Sequence, residues 1–175
     1  MRFKLLRSRG LALARQFRLH HETWRGPGGR TFERQTLVHP GAVAVLARDA
    51  EGRFLMLRQF RAAVRGTLLE IPAGTLEPGE RPLACARREL IEETGFAARR
   101  WRKLGAVYLA PGYSTELIHL YAAWDLHPAQ GRPDADEHIR LAAMTPARLT
   151  AALRSGRLRD AKALCALMLC RGGRS

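Results

Sequence analysis

Glu89, Glu92 and Glu93 stand at spacings of three and four in the stretch Arg88-Glu89-Leu90-Ile91-Glu92-Glu93-Thr94-Gly95-Phe96. Pro82 suits the first position of a helix and Gly95 its C-terminal cap. The pattern therefore predicts a helix over Pro82–Thr94 with Leu83, Ala86, Leu90 and Ile91 as its buried stripe. On that helix the three carboxylates share one face. Unit charges about 5.5 Å apart repel by roughly 3 kcal/mol at an effective dielectric of about 20. Glu92 and Glu93 also fall in the last turn, where the helix dipole disfavours anions, and Arg88 relieves only part of the strain. Hard oxygens crowded on one face answer to a divalent cation, Mg²⁺ or Mn²⁺. The plain alternative is a solvated acidic face.

The flanking residues decide between the two. Gly74, Glu80, Arg88-Glu89-Leu90, Glu92-Glu93 and Gly95-Phe96 fill nine specified positions without a gap, a coincidence expected in on the order of one in a million chains. This pattern closely resembles the signature of the Nudix hydrolases. The resemblance implies a loop–helix–loop that binds divalent metal and hydrolyses a diphosphate joined to another moiety. It also implies an α/β fold, the Nudix α/β/α sandwich with a mixed central sheet. By the same resemblance Glu89, Glu93 and the Ala73 carbonyl are the principal ligands of one to three ions. Glu92 supports them, Arg88 orients the glutamates and Glu80 arranges the loop.

Residues outside this stretch choose the substrate. Pro111 lies sixteen residues after Gly95. The segments Pro111-Gly-Tyr-Ser-Thr-Glu116, Arg58-Gln-Phe-Arg61, Leu69-Glu70-Ile-Pro-Ala73-Gly74 and Gly156-Arg-Leu-Arg-Asp160-Ala-Lys162 resemble the ADP-ribose pyrophosphatase group. That resemblance implies cleavage of ADP-ribose or a related ADP-sugar into AMP and a sugar phosphate. Arg61 would contact the diphosphate, since forked guanidinium donors suit phosphate oxygens. Arg58, Glu70, Pro111, Glu116 and Phe17 are the further substrate-binding candidates. Each has a simpler reading. Pro111-Gly112 makes a turn, Arg61 is a solvated arginine, Glu70 pairs with an arginine, and Phe17, Trp24 and Phe32 are packing. His119 reads as a hydrogen-bonded core histidine. The catalytic base in similar enzymes is often a glutamate on a loop remote from the helix. Here Glu137 matches best, and Asp136 or a metal-activated hydroxide without a loop base are the alternatives.

The elements that must position these groups follow from pattern. Phe17 to Val38, broken by Pro27-Gly28-Gly29, reads as a small antiparallel unit over residues 1–40, and 41–175 as the Nudix domain. Relatives of this kind are homodimers whose N-terminal strands help complete the neighbouring site. Residues 42–48 and 54–59, around Asp49-Ala-Glu-Gly52, read as a hairpin of largely buried strands. Strands are expected over 68–71, 106–109, 117–124 and 139–144, with the longest loop over 125–138. Thr145-Pro146 starts a helix that Gly156 closes, Asp160 caps a last helix over 161–169, and residues 171–175 should fray.

At 175 residues the chain suits one domain with a small appendage, and its net charge of +14, carried mostly by arginine, attracts phosphates and nucleotides. Six of its sixteen acids lie between residues 70 and 93. Cys85, Cys165 and Cys170 lack metal or disulfide spacing and read as reduced thiols of a cytoplasmic protein. No apolar run reaches the roughly 18 residues needed to span a membrane. The first 21 residues carry six bases and no acid, which fits a transit peptide or, more simply, a basic arm. Two rivals remain. One is a hydrolase of FAD, a GDP-sugar or a dinucleoside polyphosphate. The other is a basic nucleic-acid-binding protein with a vestigial helix motif, for which no basic–aromatic interleaving speaks.

Overall fold

The run Ala42-Val-Ala-Val-Leu-Ala47 is apolar at every position, as a strand covered on both faces must be. In the computed structural model, which describes residues 2–14, 17–131 and 139–172, it is the fully buried strand β4 (Ala42–Ala47). The side chains of β4 divide by parity. Val43, Val45 and Ala47 pack with Leu55, Cys85, Ala86, Leu90 and Tyr121. Ala42, Ala44 and Leu46 pack with Met56, Ile71, Leu120, Leu149, Ala152, Leu158, Ala163 and Ala166. The first set takes in helix α1 (Pro82–Thr94), and the second takes in α2 (Pro146–Arg154) and α3 (Ala161–Gly172). Helices therefore cover both faces of the strand, as in an α/β/α sandwich. At about 1.5–3 kcal/mol for each large apolar side chain, this double burial is the main stabilising term.

Residues 42–107 and 118–175 make up this unit. One sheet has the order β7-β4-β9-β8, with β7 (Ala73–Thr75) antiparallel and β9 (Leu117–Pro128) parallel to β4. A second sheet is antiparallel, with β5 (Phe54–Arg61) between β10 (Ile139–Met144) and β6 (Gly66–Glu70). The expected hairpin of β4 with β5 is not formed. Only Arg48 bridges Phe54, because both edges of β4 are taken by β7 and β9. The turn itself is tight, with Asp49 receiving the Arg53 N–H at 2.7 Å and Gly52 at φ 77°.

Two strands run further than their apolar content indicates. β8 spans Phe96–Tyr108, where only residues 106–109 read as strand. Its Arg99, Arg100, Arg102 and Lys103 suit the charged edge of a sheet rather than an apolar run. β9 continues to Pro128 through Asp125, whose φ of 58° marks an irregularity, so the loop expected from residue 125 begins after 128. Helix α3 likewise holds through Arg171 and Gly172. His119 is half-buried in β9. Its buried Nδ1 has no hydrogen-bond partner among the described residues, contrary to expectation. Burial, with Lys103 assisting, lowers its pKa.

The other unit holds residues 1–41 and 108–117. Its three strands, β1 (Lys4–Leu13), β2 (Arg18–Arg25) and β3 (Thr31–Val38), form an antiparallel meander. Trp24 lies opposite Phe32, and Phe3 meets Phe32 edge-on at 6.3 Å. The sequence pattern showed β1 only as a basic arm, because every residue along it is exposed. The 108–117 segment docks on the end of β3, Leu37 N–H donating to the Tyr113 carbonyl at 2.7 Å and Thr115 N–H to the Leu37 carbonyl at 2.9 Å.

Past β9 the chain returns to the end of α1. Ala129 N–H donates to the Gly95 carbonyl at 2.9 Å, and Gly131 lies so close to Ile91 that a Cβ would overlap its carbonyl. A Gly131→Ala variant should lose about 1–3 kcal/mol through overpacking, a fall in Tm of several degrees by thermal denaturation. Gly28→Ala, where a Cβ meets nothing within 4 Å, should stay within about 0.5 kcal/mol of the parent. Equal stabilities would show that the chain past β9 is not packed on Ile91.

Candidate active site

Helix α1 starts at Pro82 in its first turn and stops at Gly95, whose φ of 73° is left-handed and whose N–H returns to the Ile91 carbonyl at 2.8 Å. Its buried face is Cys85, Ala86, Glu89, Leu90, Glu93 and Thr94, while Leu83 and Ile91 are only half-buried. This corrects the expected stripe. Two of the three glutamates point inward, at 8% and 6% exposure, so the solvated-face reading fails for them.

What receives them is the backbone of β7. Ala73 N–H donates to Glu93 Oε2 at 2.8 Å. The Glu89 carboxylate lies over Gly74 where any Cβ would sit, so a side chain there would push the carboxylate out of its place. The strand is held in turn by β4, with Gly74 opposite Val43 and Ala73 opposite Ala44. Cys85 packs beneath, its Sγ 3.5 Å from the Thr75 carbonyl. Burial pushes that thiol up, so it stays protonated and is no nucleophile.

Arg88 is the counter-ion of the cluster. Its Nε and Nη2 grip Glu80 at 3.1 and 3.0 Å, and Nη1 reaches Glu89 at 2.6 Å and Glu92 at 3.0 Å. Nη2 also donates to the Thr75 carbonyl at 3.3 Å. The Glu80 bond, with Glu89 adding to it against burial, raises the Arg88 pKa, and the same bond holds Glu80 below the usual carboxylate range. Glu80 further ties the loop by accepting the Glu77 N–H at 3.1 Å. Among the described residues no three His, Cys, Asp or Glu side chains cluster as a metal cage. The donor set still fits a hard divalent ion when a main-chain carbonyl joins the two buried carboxylates.

A second cluster joins Arg61, the last residue of β5, to Glu70, the last residue of β6. Arg61 Nε and Nη2 donate to the two oxygens of Glu70 at 2.8 and 2.7 Å, so Glu70, 1% exposed, pairs with an arginine. Lys162 closes on Glu70 Oε2 as well, and also donates to Asp160 Oδ1 at 2.8 Å. Burial alone would raise Glu70, but Arg61 and Lys162 outweigh it and leave the carboxyl below its ordinary value. For Asp160 burial prevails over Lys162 and the pKa rises. In the Gly156–Lys162 segment the sequence assigned helix-end roles to Gly156 and Asp160 and none to Lys162. It held no sign that Lys162 reaches across 92 residues to Glu70.

The remaining candidates are distributed as follows. Arg58 is exposed in mid-β5, in register with Arg140 and Leu69. Phe17, Pro111 and Glu116 belong to the strand-meander unit, where Phe17 and Pro111 are exposed and Glu116 is half-buried, 4.0 Å from His39. Glu137 and Asp136 lie outside the described residues.

Known proteins bear on this arrangement. Residues 37–167 match the NUDIX domain model. The chain is 44% identical over 111 residues, 63% of its length, to a protein from Bacillus subtilis (strain 168) named ADP-ribose pyrophosphatase, and spans only 60% of that protein. It is 36% identical over 137 residues to a Salmonella paratyphi B protein named GDP-mannose pyrophosphatase, covering 73% of this chain and 71% of the other. The fold matches a crystal structure titled ADP compounds hydrolase with a TM-score of 0.85 at 22% identity, over 98% of this chain and 94% of that one. With Gly74 on one strand, Arg88, Glu89, Glu92 and Glu93 on one helix and Glu80 on the loop between them, and with a family match across three quarters of its length, this chain belongs to the NUDIX family.

Proposed function

We propose that this protein is a divalent-metal-dependent pyrophosphohydrolase that cleaves ADP-ribose, or a related ADP-sugar, into AMP and a sugar phosphate. The observation that carries the reaction class is the burial of Glu89 and Glu93 against the Ala73–Gly74 backbone. Supporting the substrate class is the name of the Bacillus subtilis relative. The ligands would be the Ala73 carbonyl, Glu89 and Glu93, with Glu92 in support, for one to three Mg²⁺ or Mn²⁺ ions. When bound, the metal neutralises the diphosphate and acidifies the attacking water.

The chain's own residues do the rest. Arg88 holds Glu80, Glu89 and Glu92 in place before substrate arrives, so little reorganisation is left for the reaction. Arg61 is held side-on by Glu70 and offers its remaining donors to a diphosphate oxygen. Glu70 acts on substrate through that arginine. Arg58, Pro111, Glu116 and Phe17 would contact the nucleoside and sugar. The strand-meander unit would serve as the dimerisation element of a homodimer that completes the site. Glu137 would take the proton from the attacking water. We place the enzyme in the cytoplasm, in keeping with three free cysteines and the lack, among the described residues, of a helix long and apolar enough to cross a membrane. A GDP-sugar is the second reading, favoured by the Salmonella relative's name.

Hydrolysis of a panel of ADP-ribose, GDP-mannose, FAD and a diadenosine polyphosphate with Mg²⁺ decides the substrate. ADP-ribose should show the highest kcat/KM. Preference for GDP-mannose would move the assignment to the second reading, and no turnover with salt-sensitive binding to single-stranded RNA would overturn the enzyme.

Glu89→Gln and Glu93→Gln should each lower kcat on the order of a hundredfold or more, beyond what loss of an outer supporting contact to a metal ligand costs. Circular dichroism should be unchanged, because Gln at 93 still accepts the Ala73 N–H. Near-normal rates at limiting Mg²⁺ would remove both residues from the metal site.

For the base, Glu137→Gln should depress kcat far more than KM or the Mg²⁺ dependence, while Asp136→Asn should do little. Steady-state kinetics on both variants checks this. The reverse ranking would transfer the role to Asp136, and two nearly normal enzymes would take both residues out of the chemistry.

A further inference from the structure

Arg61 and Glu70 do not stand alone. Behind Glu70, on the side of α3, Lys162 is 8% exposed and bonds both Glu70 Oε2 and Asp160 Oδ1. Asp160, equally buried, fixes the start of α3 by accepting the Ala163 N–H on Oδ2 at 3.2 Å. A continuous series of ionic contacts thus runs from the cap of α3 through Lys162 and Glu70 to Arg61, whose side chain is 40% exposed. Both bonds from Arg61 to Glu70 leave from one edge of the guanidinium. Nη1 has no hydrogen-bond partner among the described residues. Arg61 also lies within the electrostatic reach of Glu93, which contributes to holding its proton.

A cluster of two cations and two anions is a poor way merely to fasten a helix. Apolar residues of similar volume are commonly as stabilising or more so, because three of the four charges must be taken out of water. The cluster is better explained by its one accessible end. Bidentate pairing locks the plane of Arg61 to the plane of the Glu70 carboxylate, and Glu70 can turn unless something holds it from behind.

We propose that Lys162, set by the α3 cap Asp160, is a positioning residue for the substrate diphosphate: it fixes Glu70, which fixes the direction in which Arg61 presents its remaining donors. This rests on the reading of Arg61 as a diphosphate contact. It assigns the Asp160-Ala-Lys162 segment to substrate binding at second hand, with no contact to substrate of its own. Because Arg61 supports binding before as well as during reaction, the loss falls mainly on KM.

The test is a double-mutant cycle on the full chain with ADP-ribose. K162M/D160N removes one cation and one anion together, so the buried charge stays balanced, and Asn at 160 can still cap α3. KM should rise about tenfold, with kcat changed less than KM and Mg²⁺ dependence unchanged. In an R61A background the same pair of substitutions should move KM by no more than roughly twofold, since the group it positions is gone. A folded K162M/D160N enzyme with parental KM overturns the proposal. So does an equal rise in KM in both backgrounds. Should that variant not fold, K162R keeps the cation and displaces its donors. It should raise KM without a matching fall in kcat, and a parental KM again overturns the proposal. If R61A alone leaves KM unchanged, the diphosphate contact fails and the positioning role with it, whereas hydrolysis across the substrate panel stands or falls separately.

Discussion

A buried carboxylate is stable only where donors and positive charge replace the water it has lost, and the larger unit is arranged to meet that demand for Glu89 and Glu93. Ala73 N–H answers Glu93, Arg88 answers Glu89, and Gly74 leaves the space in which the Glu89 carboxylate lies. None of these contacts survives a shift of α1 along its axis. Cys85, Ala86 and Leu90 prevent one by packing on Val43 and Val45, the strand whose edge also carries β7. Core and site are thus the same helix seen from adjacent positions. A hydrophobic change at Leu90 is felt at Glu89 and Glu93 because one backbone carries all three.

The same demand is met a second time on the other side of β4, and one short segment joins the two solutions. Glu70 ends β6 and turns to Arg61 and Lys162. Ile71 enters the core that packs on α2 and α3, and the Pro72 carbonyl accepts the Val45 N–H at 2.8 Å. Ala73 and Gly74 then face α1. Five residues fix both charged clusters to the central strand. A segment anchored at both clusters has little room to shift, and rigidity is what lets charge be placed before a ligand arrives.

How much of this was legible follows from how local each signal is. Helix α1 was readable to the residue, because Pro82 and Gly95 are local stop signals and the glutamate spacing is periodic. The start of α2 was equally plain, the Thr145 side chain accepting the Arg148 N–H as a capping residue should. The β4–β5 hairpin failed because pairing is decided by which edges are already occupied, a fact held by β7 and β9 far along the chain. β8 was hidden by its arginines, since an edge strand can be charged and apolar periodicity then says nothing. Within the site, the contacts of Arg88 with Glu80 and the helix glutamates agree with their places in the signature. That Glu89 and Glu93, rather than Leu83 and Ile91, form the buried face could not be read in advance, because helix periodicity assumes that carboxylates face water.

The division between local and distant information also separates reaction from substrate. The hydrogen bonds described to Glu89, Glu92 and Glu93 come from Ala73 and Arg88, so this carboxylate cluster is drawn from one continuous stretch. The groups proposed to choose the substrate come from β5, from α3, from the 108–117 segment and from the start of the chain, and none is periodic with any other. Arg61 illustrates the difficulty. In a chain carrying thirty Lys and Arg residues it is one basic residue among many until folding sets it beside Glu70. A charge on a surface attracts any phosphate, but a guanidinium held in one plane by a buried carboxylate can favour one arrangement of oxygens over another. If Arg61 meets substrate as proposed, specificity would reside in what stands behind that arginine as much as in the arginine itself.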